Sequence, residues 1–93
     1  MKRDQVPGTN YIIFQDEDEF KYTSDALILS SLVKGGQRAL DLGCGNGILS
    51  LRICPRFGEV HAVDKNKNVL EAFKKSIFLN KLEDKINLFE EDI

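Results

Sequence analysis

The sequence predicts an α/β chain: a doubly wound half-sheet of three parallel strands in the order 3-2-1, behind a small N-terminal hairpin and helix. Three observations predict it. Residues 39–42 and 60–64 are short apolar runs that contain or end on an acid. The segments that follow each run carry helical spacing. Between the first run and its helix, glycines stand at alternate positions, Gly43, Gly45 and Gly47. Strand, helix, strand, helix, strand is the order that right-handed crossovers need in order to lay strands parallel.

Each element has its own warrant. Residues 1–10 hold Pro7, Gly8 and Asn10 without periodicity, which predicts a flexible leader to a single domain spanning 1–93. Tyr11-Ile12-Ile13-Phe14 and Phe20-Lys21-Tyr22-Thr23 flank Asp16-Glu17-Asp18-Glu19 and predict a hairpin. Consecutive acids in a turn are solvated, so no metal is inferred there. Ser24 suits the N-cap of a helix reaching Val33, ended by Gly35-Gly36. Ile48–Ile53 reads as a helix that Pro55 must stop, because proline lacks an amide donor and clashes with the preceding turn. Asn68 is the expected cap of the next helix, in which Val69, Leu70, Phe73, Ile77 and Phe78 recur at helical spacing. Ile86-Asn87-Leu88-Phe89 forms the third strand.

Composition narrows the class. Ninety-three residues make one small domain, and 42% hydrophobic with 30% charged residues is ordinary globular composition. A formal net charge of −2 argues against a general phosphate-binding surface, so any RNA contact is local. Cys44 and Cys54 have the spacing of neither a disulfide framework nor a metal site, which predicts a reducing cytoplasm. No apolar run approaches the ~18–20 residues of a membrane span, and Met1-Lys2-Arg3-Asp4-Gln5 does not lead into a signal core.

In a parallel α/β sheet, ligands bind outside the carboxyl ends of the strands. Asp41, Gly43 to Gly47, Asp64 and Asp92 fall there. Alternate glycines let the backbone turn tightly and approach a ligand, and the helix that follows offers unpaired amides, which suits a nucleotide-like molecule. Asp64 follows Gly43 by 21 residues and ends the second strand, where a carboxylate can accept from ribose hydroxyls. A nicotinamide or flavin dinucleotide domain fits this pattern, as does a nucleoside-binding module without catalysis. The dinucleotide pattern, however, wants its third glycine where Ile48 stands, and a carboxylate at Asp41 is poorly placed beside a pyrophosphate.

Leu40-Asp41-Leu42-Gly43-Cys44-Gly45-Asn46-Gly47 resembles the first motif of class I S-adenosylmethionine-dependent methyltransferases, whose fold is Rossmann-like. The resemblance implies that Asp41 meets the methionine end of the cofactor and Asp64 the ribose. It puts Asp92, in Phe89-Glu90-Glu91-Asp92-Ile93, at the adenine amino group. The implied cofactor-binding set is Asp41, Gly43, Cys44, Gly45, Asn46, Gly47, Asp64, Lys65 and Asp92. Phe20-Lys21-Tyr22-Thr23-Ser24-Asp25-Ala26-Leu27-Ile28-Leu29 is similar to the lead-in of the branch that methylates adenine N6 in transfer RNA, so the resemblance covers 12–93 and implies a tRNA partner. That branch carries an Asn or Asp followed by Pro-Pro and an aromatic on its fourth strand. The chain has no adjacent prolines, so its catalytic residues are not legible and it is expected to transfer no methyl group alone. The edge of its first strand is expected to pair with a second copy or with a C-terminal half. Cys44 reads as a small loop filler, Cys54 as a buried helix end, and His61 as a packing or surface residue without an acid partner. The lysines at 65, 67, 74, 75, 81 and 85 read as a solvated face, interleaved as they are with Glu71, Glu83 and Asp84.

Overall fold

The computed structural model describes residues 2–15 and 32–92. It begins with a hairpin, β1 (Lys2–Gln5) antiparallel to β2 (Ile12–Gln15), with Lys2 opposite Gln15 and Gln5 opposite Ile12. This corrects the flexible leader expected over 1–10, and gives residues 12–15 an antiparallel partner in 2–5. Lys-Arg-Asp-Gln has no apolar alternation, so its strand character comes from pairing rather than from propensity. Val6 closes the turn by donating to Tyr11 O (2.9 Å) and is fully buried. The acidic turn at 16–19, the strand at 20–23 and residues 24–31 of the expected helix lie outside the described residues.

The hairpin is fastened by the side chains of a helix. Asn80 Oδ1 accepts from Ile12 N (2.9 Å) while its Nδ2 donates to Ile12 O (2.6 Å), and Ser76 Oγ accepts from Phe14 N (2.8 Å). Arg52 donates to Pro7 O. The edge of β2 away from β1 therefore finds partners in the side chains of Ser76 and Asn80, which satisfies backbone groups that burial would otherwise make costly.

Three parallel strands follow, β3 (Gly36–Leu42), β4 (Phe57–Asp64) and β5 (Ile86–Glu90), adjacent in chain order as the 3-2-1 expectation requires. Ala39 lies opposite Val60, and Val60 opposite Ile86. The crossovers are α1 (Ile48–Ile53), which tightens into a 3₁₀ turn over Cys54–Arg56 at Pro55, and α2 (Lys67–Leu79). The cap of α2 is Asn66, not Asn68: its side chain accepts from Asn68 N at 2.9 Å and Val69 N at 3.4 Å, so the helix starts two residues earlier than expected. A sheet extended in one direction by right-handed crossovers carries its helices on one face. Ile48, Leu51, Phe73 and Ile77 accordingly pack with Val60, Ala62 and Ile86 in a single core. Phe78, expected on the apolar stripe, is instead 73% exposed, because it lies one position past Ile77 and turns away from the sheet.

Candidate functional site

The loop after β3 is the scaffold of the site. Gly43 N and Cys44 N both donate to Val63 O, at 2.7 and 3.0 Å, which ties the loop to the end of β4. Gly45 has φ +56° and Gly47 φ +93°, left-handed conformations that side chains with a Cβ rarely adopt. A side chain at Gly47 would run into the Phe73 ring, whereas the space a Cβ would enter at Gly45 is open to 4 Å.

Asp64 links loop and strand. Its Oδ2 accepts from Gly45 N (2.9 Å) and its Oδ1 from Asn66 N (2.8 Å), so one carboxylate pins both the glycine loop and the cap of α2. Glu91 N donates to Asp64 O (3.0 Å), carrying the β4–β5 ladder one step past β5 and bringing Glu91 and Asp92 beside Asp64. Leu42, Gly43, Asp64, Lys65, Glu91 and Asp92 line an open cavity of about 420 Å³ there. A second recess of about 340 Å³ adjoins it through Lys65, Glu91 and Asp92, with Glu90 on its wall.

Of the predicted residues, Gly43, Asp64, Lys65 and Asp92 meet at this cavity, and Gly45 joins them through its amide. Asn46 is half-buried in the loop, where its Oδ1 accepts from Ile48 N (3.3 Å), and Gly47 lies buried over the Phe73 ring. Asp41 and Cys44 are buried beneath the loop, each 7% exposed. Asp41 Oδ2 accepts from Ser50 Oγ at 2.6 Å. Burial raises its carboxyl above the ordinary value of 3.8, and hydrogen bonding from Ser50 opposes the rise. Burial, helped by the carboxylates of Asp41 and Asp64, pushes the Cys44 thiol up to about 12, so it is a neutral filler at physiological pH, as expected. Cys54 is likewise a buried free thiol.

Sequence reasoning missed Leu42, Glu91 and Ser50. A serine inside the apolar stretch Ile48-Leu49-Ser50-Leu51 was the available signal for the last, since a buried hydroxyl needs a partner. His61 does have an acid neighbour, contrary to expectation: its Nε2 lies 3.6 Å from Glu59 Oε2, and its ring stands 5.4 Å from that of Phe89, on the sheet face opposite α1 and α2. The two residues are adjacent on one side of β4, a proximity that the strand's period of two would have given. Among the described residues no group of three or more His, Cys, Asp or Glu is placed to hold a metal ion, and no helix is long and apolar enough to cross a membrane.

Comparison with known proteins gives a consistent picture. The family model for the methyltransferase small domain matches residues 16–93. Ribosomal protein L11 methyltransferase of Acetivibrio thermocellus is 40% identical over 67 residues, covering 70% of this chain and 21% of that protein. The tRNA1(Val) (adenine(37)-N6)-methyltransferase of Tolumonas auensis is 30% identical over 86 residues, covering 87% of this chain and 36% of its own length. The crystal structure of the M. jannaschii tRNA m1G37 methyltransferase superposes with a TM-score of 0.73 at 25% identity, over 98% of this chain and 31% of that one. The chain thus spans between a fifth and two fifths of the length of these three proteins.

Proposed function

Because the chain belongs to the methyltransferase small domain family, we propose that it is the S-adenosylmethionine-binding part of an RNA methyltransferase, with adenine N6 of transfer RNA as acceptor. One observation carries the cofactor assignment: Asp64, pinned by two backbone amides, stands beside an open glycine turn in a cavity rimmed by Glu91 and Asp92. A carboxylate has about four acceptor sites, and the two amides leave Asp64 capacity for a pair of ribose hydroxyls. The space above Gly45 and a cavity within the ~300–1,000 Å³ range of ligand sites fit a nucleoside. The rim sets three carboxylates against the single cation of Lys65, which disfavours a pyrophosphate and suits a ligand with an amino group.

In this reading Asp41 supplies the negative charge for the amino end, the Gly43–Gly47 loop the close backbone approach, Asp64 the ribose contact, and Asp92 with Lys65 the adenine rim. The cofactor brings a methyl group already activated on a sulfonium, so the protein's work is to orient it and exclude water. Of the two sequence relatives named, the one that matches over the greater share of this chain is a tRNA methyltransferase, which supports the RNA acceptor. The greater identity of the L11 methyltransferase over a shorter stretch favours a protein acceptor as the second reading. The 93 residues contain no adjacent prolines, and we expect no methyl transfer from them alone. Both cysteines are free thiols, in keeping with a cytoplasmic setting.

Isothermal calorimetry with S-adenosylhomocysteine and with NAD tests the assignment. The homocysteine compound should bind and NAD should not, and Asp64→Ala should weaken binding by ~1–3 kcal/mol. Tighter binding of NAD, or an unchanged affinity in the variant, would remove this reading of the site.

A further inference from the structure

Ser50 stands outside the cavity and outside every motif read from the sequence, yet it makes the one side-chain hydrogen bond recorded for the most buried acid of the site region. It lies on α1, fully buried, with its hydroxyl 2.6 Å from Asp41 Oδ2. A serine in the middle of a buried helix face lowers helix propensity and offers nothing to an apolar core, so its presence is explained by the carboxylate it holds.

Asp41 is also unusual for what it lacks. It is 7% exposed, and among the described residues no lysine, arginine or histidine pairs with it. The ionisable groups acting around it are Asp64 at the end of β4, which opposes its charge, and the Cys44 thiol in the loop, which is neutral. A buried anion without a cation costs free energy unless something positive arrives to meet it.

Taking the proposed cofactor reading as its basis, we infer that Ser50 is the positioning residue of Asp41: its hydroxyl fixes the carboxylate's orientation, ready for the cationic amino group of the ligand. The hydroxyl bonds the charged form more strongly than the neutral one, so losing it leaves the carboxylate with only the Ser50 backbone N–H and favours protonation.

The test uses the full chain in three forms, wild type, Ser50→Ala and Ser50→Thr, with two readouts. The first is carboxyl-carbon NMR titration of Asp41 without ligand. Removing one hydrogen bond to a charged group should raise its midpoint by about one pH unit, a tenfold change in proton affinity. The second is calorimetry with S-adenosylhomocysteine across the pH range over which the first readout shows Asp41 to titrate. The acid limb of the affinity profile should move up with the midpoint in Ser50→Ala and return in Ser50→Thr, which keeps the hydroxyl. An unmoved midpoint in Ser50→Ala, or a moved midpoint with an unmoved binding profile, overturns the positioning role. If Ser50→Ala does not fold, Ser50→Cys replaces it, since a thiol is a far weaker donor of similar size. Wild type that titrates as described but binds no S-adenosylhomocysteine at any pH instead defeats the cofactor reading on which the inference rests.

Discussion

On one face of the three-stranded sheet Val60 and Ala62 are fully buried and Ile86 is 3% exposed, while on the other Leu40, Leu42 and Phe89 are 63%, 57% and 42% exposed. The same strands supply both sets, alternate residues pointing to opposite sides. Hydrophobicity does not separate them, since leucine and phenylalanine are at least as apolar as valine and alanine. The separating factor is the direction in which the sheet grows: β3, β4 and β5 add in one sense, so both helical crossovers fall on one side. Burial in this chain is therefore decided by topology, and the apolar residues of the second face are suited to cover that the described residues do not supply. A recess of about 280 Å³ among Leu40, Leu42, Val63 and Phe89 opens on that face and shares Leu42, Glu91 and Asp92 with the candidate cavity. Whatever covers the face would thus also wall the site.

The comparison breaks most visibly at Phe73, which is fully buried on the covered side and lies beneath Gly47. Phe73→Ala should cost ~3–5 kcal/mol, a large share of the stability of a domain this size, read from the midpoint of urea unfolding. A loss under ~1 kcal/mol would mean that the covered face is not the core.

A smaller effect sharpens the contrast from within the covered face, where Asp41 is the charged exception. Its folded carboxyl binds a proton more tightly than the unfolded one, because burial raises it. Its contribution to stability is then complete below the ordinary 3.8 and is lost as pH rises through the raised folded value. Asp41→Asn removes that dependence, so the variant should gain ~0.5–1 kcal/mol at pH 7 while losing ligand affinity, with no such gain at pH 3. Equal gains at both pH values, by urea titration, would assign the effect to something other than ionisation.

The smallest change in folding stability belongs to the face opposite α1 and α2. Leu40→Ser should alter it by less than ~0.5 kcal/mol, because the side chain is already in water. The same substitution should lower the mass seen by light scattering at high concentration, if second copies cover the face as its apolar surface invites. An unchanged mass would direct attention to the open edge of β3 instead.

What could be read in the sequence follows the range of the forces involved. The strand–helix alternation, α2 and the glycine turn were legible because periodicity and backbone demands are local. The pairing of β1 was not, since Lys2 to Gln5 acquire their structure from residues up to thirteen positions away. Phe78 was misplaced because a helical stripe has a width that sequence spacing does not set. Within the site, Asp64 was found by its distance from Gly43, but its bonds to Gly45 and Asn66 arise from the closing of the loop. Ser50 was legible only in part: a serine in an apolar stretch signals a buried partner, but that partner lies on another element, and nothing in the helix says which it is.

The Asn80 and Ser76 fastenings of β2 have a consequence for the order of events during synthesis. They join backbone groups to side chains 68 and 62 residues later in the chain. At ~5–20 residues per second, the hairpin waits on the order of 3–13 s after its own emergence before the helix that holds it exists. Over that interval Val6 and Ile13, both fully buried in the finished fold, have no core to enter. The charges of Lys2, Arg3 and Asp4 then keep that segment hydrated and its strand edges unattractive to neighbouring chains, until α2 arrives to close them.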